Sequence, residues 1–345
     1  MQKPYADRLR KIGALLLDLQ DDAARLRAQK TLAKCEAKDL QSLAEVFRGV
    51  LCYIDYDHPG TIAHLTAAFE DPELAPPGDL WHMLGVASRE EGDYGRAIEC
   101  FKKVLELPDC TDAGDAWHDL GCCYSRNGEF ERALECFEKA LSTPGYDAPC
   151  LVWFELGTLY AMQGEHDRAL GWFKKVLTVP GFPVGMVWYN LGTIYGRKHD
   201  YDQAIECLQK AIDTPGYDAP GDAWNNLGTI YGRKHDYDQA IECCRKALDT
   251  PGSNAPGDAW HNMANAYAGK GDYDQAIECY QKSLASPDHR APGSTLGSLG
   301  LAYCRAGRYE RALECLEKAL TAHGNKHLSA TRLLIRIAQD RLARQ

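Results

Sequence analysis

The chain has 345 residues, of which 45% are hydrophobic, and it carries a formal net charge of −10 at pH 7. This apolar fraction is ordinary for a folded protein, and no stretch approaches the roughly 20 unbroken apolar residues of a membrane-spanning helix. The acidic balance disfavours nucleic-acid binding, which needs a basic surface against the phosphates. We therefore expect neither a membrane nor a nucleic acid among the partners.

The first part of the chain predicts a long amphipathic helix over residues 4–30. Its apolar residues alternate three and four apart, as in a heptad seam; they are Leu9, Ile12, Leu16, Leu19, Ala23 and Leu26. We expect this helix to cap the elements that follow, with self-association or a partner helix as the alternative. Asp18 interrupts the apolar patch and no small-residue cleavage site is present, which argues against a secretory signal.

A tryptophan then recurs at intervals of 36, 36, 35, 36 and 36 residues, at Trp81, Trp117, Trp153, Trp188, Trp224 and Trp260. Around Trp224, Leu227 and Tyr231 share one face of a first helix, while Ala240 and Cys244 share one face of a second. The polar stretch between them is a turn, and Pro251 with Gly252 ends the second helix. The sequence therefore predicts seven helix pairs, beginning near residues 78, 114, 150, 185, 221, 257 and 293.

A glycine recurs inside the predicted first helices, four residues after the tryptophan position. An interior glycine costs a helix about 1 kcal/mol relative to alanine, so a close helix crossing is the best reason for keeping it. The residues concerned are Gly85, Gly121, Gly157, Gly192, Gly228 and Gly300. A further glycine, Gly49, belongs to an earlier and degenerate helix pair, which has Glu45 in the tryptophan position.

The combination of Trp, Leu-Gly, Tyr, Ala and a closing Pro resembles the tetratricopeptide repeat family. The resemblance implies an all-α fold, a right-handed α-α superhelical solenoid of helix pairs. It divides the chain into N-terminal capping helices with a degenerate repeat (1–77), seven repeats of about 36 residues (78–326) and a C-terminal capping helix (327–345). In that last segment, Leu334, Ile337 and Leu342 are expected on one face, surrounded by Arg332, Arg336, Arg341 and Arg344.

Six of the 14 cysteines occupy one position of the predicted second helices, at Cys100, Cys136, Cys207, Cys243, Cys279 and Cys315. Equivalent positions of stacked repeats lie roughly 10 Å apart, whereas a disulfide needs Cα atoms within about 7 Å. We therefore expect these thiols to pack as small apolar groups in a reducing compartment, the cytoplasm.

The resemblance also places Asn190, Asn226 and Asn262, here called the asparagine row, in the concave groove of three successive repeats. An amide both donates and accepts, so such a row can hold the backbone of an extended peptide. The alternative is that asparagine at this position only solvates the groove. Beside the row, the groove residues are expected to be Phe154, Met186, Tyr189, Asn225, His261 and Asn265, with Arg197 and Arg233 near the ends of their helices.

Those arginines have two interpretations: they meet ligand carboxylates, or they face the dipole at the helix C-terminus, which we favour. No motif for a metal, a cofactor or a catalytic nucleophile occurs. We therefore predict a non-catalytic scaffold or adaptor that binds a peptide segment of another protein. The alternative is a regulatory or inhibitory subunit of an enzyme complex that binds through its ends or its convex face.

Overall fold

The computed structural model describes residues 22–36, 40–107, 112–250, 256–287, 291–324 and 328–344. Within them the chain forms eighteen α-helices and no strand. The helices belong to two compact units, Met1–Gln163 and Gly164–Gln345, here called the N-terminal unit and the C-terminal unit. The predicted all-α array of helix pairs is confirmed.

The N-terminal unit contains eight of these helices. They are α1 Asp22–Glu36, α2 Gln41–Ile54, α3 His58–Phe69, α4 Gly78–Glu90, α5 Tyr94–Glu106, α6 Ala113–Arg126, α7 Phe130–Ser142 and α8 Pro149–Met162. Consecutive helices pack as pairs, α2 with α3, α4 with α5 and α6 with α7.

The C-terminal unit contains the other ten. They are α9 His166–Val176, α10 Val184–Arg197, α11 Tyr201–Ile212, α12 Pro220–Arg233, α13 Tyr237–Asp249, α14 Pro256–Lys270, α15 Tyr273–Ala285, α16 Pro292–Arg305, α17 Tyr309–Thr321 and α18 Leu328–Leu342. The pairs are α10 with α11, α12 with α13, α14 with α15 and α16 with α17. The predicted repeat boundary at Pro251 and Gly252 lies outside the described residues.

The turn inside each pair is set by its local sequence. Asp93, Asp200, Asp236 and Asp272 each precede a second helix and accept a hydrogen bond from the backbone N–H three residues later, which caps that helix. The residue before each capping aspartate has a positive φ, and at two of the four turns it is glycine, Gly92 and Gly271. His199 and His235 take this conformation with φ of 62° and 61°, and each ring Nδ1 lies 2.8 Å from a tyrosine hydroxyl two residues on.

The interior glycines mark close helix crossings, as predicted. A Cβ atom on Gly121 would lie 2.6 Å from the Phe137 ring, and one on Gly228 would lie 2.6 Å from the Cys244 sulfur. In each case the contacted side chain comes sixteen residues later, on the second helix of the same pair. The same relation holds for Gly49, Gly85, Gly192 and Gly300, so the first helices tolerate no side chain there without movement.

A lysine from the second helix covers the half-buried tryptophan of its own repeat. The Lys Nζ atoms lie between 4.2 and 4.7 Å from the ring centroids, which is the geometry of a cation–π contact. The pairs are Lys139 with Trp117, Lys210 with Trp188, Lys246 with Trp224 and Lys282 with Trp260.

The six cysteines that share one repeat position pack in the core, where most of them are buried. Burial raises the pKa of the Cys136, Cys207, Cys243 and Cys279 thiols to about 11. None of the thirteen described cysteines forms a disulfide. The six cysteines at the shared repeat position behave as small apolar groups rather than as reactive thiolates.

The two ends differ in detail from the predicted amphipathic faces. Of the N-terminal seam, residues 1–21 lie outside the described residues, and Leu26 is 50% exposed. Helix α1 instead buries Ala28 and Cys35, on the side where it contacts α2.

At the other end, the predicted face of Leu334, Ile337 and Leu342 is wrong for Ile337, which is 42% exposed. Helix α18 buries Thr331 and Ala338, and Ile335 packs with them on the core. The apolar residues of α18 are compatible with two faces, and packing on α17 selects one of them.

No helix among the described residues combines the length and the apolarity needed to cross a bilayer.

Candidate functional site

The first helices of the repeats carry the predicted site residues. In the C-terminal unit α10, α12, α14 and α16 follow one another, and α12 contacts both α10 and α14. We call the surface that these four first helices form the first-helix face. Met186, Tyr189, Asn190 and Arg197 lie on α10; Asn225, Asn226 and Arg233 lie on α12; His261, Asn262 and Asn265 lie on α14. Phe154 lies on α8 of the N-terminal unit, where it is half-buried.

The asparagine row joins successive repeats through hydrogen bonds. Asn262 Nδ2 lies 2.9 Å from Asn225 Oδ1 and 3.0 Å from Thr229 Oγ1, both on the preceding first helix. Asn226 Nδ2 lies 3.3 Å from Thr193 Oγ1 in the same relation one repeat earlier. The row therefore has a structural role that the sequence interpretation did not include.

The threonines fix the orientation of these amides. A threonine hydroxyl has one hydrogen, and Thr229 donates it to the Asn225 carbonyl at 3.2 Å. Thr193 donates its hydrogen to the Tyr189 carbonyl at 3.0 Å. Because that hydrogen is already used, each hydroxyl can only accept from the following repeat, so the group facing it is the amide nitrogen.

The amide oxygens of Asn226 and Asn262 are consequently turned away from the threonines. Both residues are half-buried, and neither oxygen is among the buried polar atoms that lack a partner in the described chain. No hydrogen bond to either oxygen occurs among the described residues. The repeats of Asn226 and Asn262 thus each present an acceptor that is not buried and whose direction is set by the preceding repeat.

Other predicted residues of the first-helix face also contact protein groups. His261 Nδ1 lies 2.8 Å from Thr295 Oγ1, and Asn265 Oδ1 accepts a hydrogen bond of 2.6 Å from the Tyr280 hydroxyl. Burial raises the pKa of the Tyr189 hydroxyl, and the adjacent Asn226 amide opposes that rise as a donor. Tyr189 is therefore part of the polar contact between α10 and α12.

The arginines end their helices. Arg197 is the last residue of α10 and Arg233 the last of α12. Arg233 Nη1 lies 3.5 Å from the Gly196 carbonyl oxygen near the C-terminus of α10. This contact supports the dipole interpretation across the repeat boundary, while Arg197 is exposed.

The N-terminal unit has a charged cluster at the position equivalent to the asparagine row. Asp119 is 8% exposed, and its carboxylate lies 2.5 Å from Arg89 Nη1 and 2.9 Å from His82 Nε2, both on the preceding first helix. Burial alone would raise the pKa of the Asp119 carboxyl. Hydrogen bonds from His118 and His82, with the charge of Arg89, instead hold that pKa well below its usual range. Asp119 therefore remains a carboxylate.

Three further carboxyls of this unit are not compensated in the same way. Burial raises the pKa of Asp79, Asp115 and Glu155 above their usual ranges. For Asp79 and Asp115, neighbouring carboxylates add to the rise. The first helices of the N-terminal unit thus carry excess negative charge.

A thiol, an imidazole and a carboxylate are also aligned here, which the sequence motifs did not reveal. Cys122 Sγ lies 3.6 Å from His118 Nε2, and His118 Nδ1 lies 3.5 Å from Asp119 Oδ1. Burial, with the charges of Glu155 and Asp119, raises the pKa of the Cys122 thiol well above its usual range. A nucleophilic cysteine needs the opposite shift, so this alignment does not supply one.

The described residues contain no group of three or more His, Cys, Asp or Glu side chains placed to hold a metal ion. Sequence reasoning missed Thr193 and Thr229, which orient the asparagine row. The available signal was their recurrence five residues after the tryptophan, which also occurs at Thr158. It also missed Arg89 as the partner of Asp119.

Models of the tetratricopeptide repeat match residues 78–107, 114–143, 186–214, 221–286 and 256–325, which together exceed half of the chain. Comparison with curated proteins gave no match. A chain of the APC/C hetero-tetramer Cut9-Hcn1 is similar at 19% identity and a TM-score of 0.57. That likeness covers 91% of this chain, and this chain spans 59% of the other.

Two smaller structures are also similar. A tetratricopeptide repeat protein from Parabacteroides merdae shares 18% identity at a TM-score of 0.56, over 76% of this chain and 98% of the other. PilW, a type IV pilus biogenesis factor, shares 16% identity at a TM-score of 0.55, over 63% and 99%. At these identities the structures show the fold, and the repeat models show the family. The chain belongs to the tetratricopeptide repeat family.

Proposed function

We propose that this protein is a non-catalytic scaffold that binds an extended peptide segment of a partner protein on the first-helix face of its C-terminal unit. Tetratricopeptide repeat proteins generally mediate protein–protein interactions. The observation that carries the proposal is the pair of accessible amide oxygens on Asn226 and Asn262, held in one orientation on successive repeats.

The spacing of these oxygens suits an extended chain. Neighbouring first helices lie roughly 10 Å apart, and an extended peptide rises about 3.3 Å per residue. One acceptor per repeat therefore matches one backbone N–H in every three residues of ligand. A row of acceptors binds backbone without discriminating among side chains.

An apolar contact next to the row would add affinity. Met186 is 38% exposed, and it lies on the same helix as the half-buried Tyr189. An apolar side chain of the ligand that covers Met186 would anchor one end of the segment.

The test is selection from a displayed library of random dodecapeptides against the full chain, followed by hydrogen exchange with and without an enriched peptide. We expect protection of α10, α12 and α14. The double variant Met186→Lys, Arg197→Gln replaces the exposed apolar contact of this face and leaves its net charge unchanged, and we expect it to weaken binding at least tenfold.

The matched control is Gln209→Glu, on the exposed side of α11, which should bind as the unaltered chain does. If enriched peptides bind the double variant with unchanged affinity, or protect only second helices, the first-helix face is not the site. Failure to enrich any peptide would also count against the proposal.

A regulatory or inhibitory subunit that binds through its ends is the second candidate, and α18 favours it. Leu333 and Ile337 are 57% and 42% exposed beside Arg336 and Arg341, a surface that suits an acidic partner. Changing both apolar residues to serine should abolish inhibition or capture of such a partner while peptide binding persists. Unchanged capture by that variant would exclude the end of α18.

Self-association through residues 4–30 and residence in the cytoplasm remain proposals. The buried, free thiols support a reducing compartment. Sedimentation of the full chain against residues 32–345 tests the first, since a shift to monomer on truncation is the expected result. Fluorescence microscopy of the tagged chain tests the second.

A further inference from the structure

The oriented amides also restrict what kind of peptide fits. Both N–H groups of Asn262 are used between repeats, on Asn225 and Thr229, so only its oxygen remains for a ligand. The nitrogen of Asn226 is likewise turned to Thr193. The ligand-facing atoms of the row are therefore acceptors, and a ligand must bring the hydrogens.

A carboxylate stands one helical turn before each of these amides. Asp222 precedes Asn226 on α12, and Asp258 precedes Asn262 on α14, each by four residues, a spacing of about 6 Å along one side of a helix. Both aspartates are half-buried, and neither forms an ion pair within the described part of the chain. The charge of Asp222 reaches the binding face, because it contributes to the raised pKa of Tyr189 after burial.

From this arrangement, and resting on the proposed function, we propose that the first-helix face of the C-terminal unit selects a basic segment. Its Lys or Arg side chains would pair with Asp222 and Asp258, while its backbone N–H groups donate to the Asn226 and Asn262 oxygens. The repeated Asp–Asn pair predicts cationic side chains about three residues apart in the ligand.

The positive groups on the same face lie at the far ends of their helices, and the charge of Arg197 lowers the pKa of Tyr189 against the effect of Asp222. Arg233 lies eleven residues after Asp222 on α12, a distance of about 16 Å, and it contacts the Gly196 carbonyl. Arg197 occupies the equivalent far end of α10. The face thus has an acidic edge at the start of its helices and a basic edge at their ends, with the acceptors nearer the acidic edge.

Three fluorescein-labelled, end-capped dodecapeptides test the proposal. They carry Lys, Gln or Glu at every third position in an otherwise identical Ser/Ala background. Fluorescence polarisation with the full chain should show the Lys peptide binding at least tenfold more tightly than the Gln peptide, and the Glu peptide more weakly still. The double variant Asp222→Asn, Asp258→Asn should remove the advantage of Lys over Gln.

Because the chain is acidic overall, non-specific attraction of the Lys peptide must be separated from site binding. The matched control is Asp202→Asn, Asp238→Asn, which removes the same charge from residues that are 85% and 80% exposed on second helices. We expect this control to keep at least half of the affinity. Equal losses in the two double variants would overturn the inference.

Equal affinity for the Lys and Gln peptides would also overturn it while leaving the proposed peptide-binding function intact. If no probe binds, the basic-segment inference fails, and the library selection decides the proposed function independently. The aspartate substitutions are nearly isosteric, and a thermal melt of each variant identifies any loss of fold.

Discussion

The two units differ in the charged groups that join successive repeats within each of them. In the N-terminal unit a carboxylate is buried, because Asp119 is 8% exposed and contacts Arg89 and His82 of the preceding repeat. In the C-terminal unit Asn190, Asn226 and Asn262 occupy the equivalent position as neutral amides, and the ion pairs between repeats lie outside. These are Lys198–Asp167, Lys234–Asp202, Lys270–Asp238 and Arg308–Asp274.

The difference shows that one register position can join repeats through different chemistry. A buried ion pair is costly to break, because one partner is left charged and poorly solvated. An exposed pair contributes little, because water and salt already screen it. The N-terminal unit therefore has a buried carboxylate between two of its repeats, whereas the aspartates of the four ion pairs between repeats of the C-terminal unit are exposed.

The largest effect is expected from Asp119→Asn, which removes the buried carboxylate beside Arg89 and leaves that guanidinium only its exposed partner Glu90. We expect a loss of about 3 kcal/mol in the free energy of unfolding of the N-terminal unit. Hydrogen exchange measured separately for each unit is the appropriate measurement, since the units need not unfold together.

Asp202→Asn is the matched control, because this aspartate is 85% exposed in its pair with Lys234. We expect it to cost about 0.5 kcal/mol or less. Similar losses at Asp119 and Asp202 would remove the proposed contrast between the units.

The next effect concerns two glycine crossings: Gly121 of the N-terminal unit faces a phenylalanine, and Gly228 of the C-terminal unit faces a cysteine. Gly121→Ala would place a Cβ 2.6 Å from the buried Phe137 ring, and we expect a cost of about 2–3 kcal/mol. Gly228→Ala meets the Cys244 sulfur, and we expect about 1–2 kcal/mol because this side chain is smaller. Urea unfolding of each variant measures both values.

Gly232→Ala, on the same helix as Gly228, supplies the control. No atom lies within 4 Å of its added Cβ, so better helix propensity should stabilise the protein by up to about 1 kcal/mol. A destabilising Gly232→Ala would show that these glycines serve something other than the crossing.

Asn262→Ala tests the neutral hydrogen bonds between repeats of the C-terminal unit. It removes two hydrogen bonds to the preceding repeat and should cost about 1–2 kcal/mol. A double-mutant cycle with Thr229→Val should give a coupling free energy of about 0.5–1 kcal/mol. Zero coupling would mean that the threonine does not orient the amide.

The smallest effect is the pH dependence of the two units. Burial raises the pKa of Asp79, Asp115 and Glu155, so the folded N-terminal unit binds more protons than the unfolded chain just above the usual carboxyl range near pH 4. Stability should therefore rise as the pH falls from 7 toward 5. The depressed pKa of Asp119 has the opposite sign, and its stabilisation is lost only below the usual aspartate range.

Hydrogen exchange of each unit at pH 7 and pH 5, with correction for the intrinsic rate, measures this dependence. The C-terminal unit should respond less than the N-terminal unit. A fall in N-terminal stability over this interval would contradict the assigned burial of the three carboxyls.

Much of the fold could be predicted because the repeats share one pattern of tryptophan, glycine and apolar residues. The tryptophan period located the helix pairs, and the interior glycines predicted crossings that the contacts of Gly121 and Gly228 confirm. Repetition also placed Asn226 and Asn262 at one position. These inferences need only local periodicity and the spacing of residues along a helix.

Contacts between repeats were harder to predict from the sequence. The orientation of Asn262 depends on Thr229 having already used its hydrogen, which follows from the relative position of two helices. Ile337 was assigned to the wrong face because the apolar residues of α18 permit two faces, and packing on α17 decides between them. Arg89 meets Asp119 thirty residues later in the chain, a pairing that no local spacing indicates.

The lysine-covered tryptophans make individual repeats optically distinguishable. Indole emission responds to local polarity and to an adjacent ammonium group, and Trp117, Trp188, Trp224 and Trp260 each have one. Unfolding of a repeat separates the pair and changes the emission of that tryptophan alone. A set of variants that each retain one of these tryptophans would therefore follow the order in which repeats open, with Trp117 reporting on the N-terminal unit and the other three on the C-terminal unit.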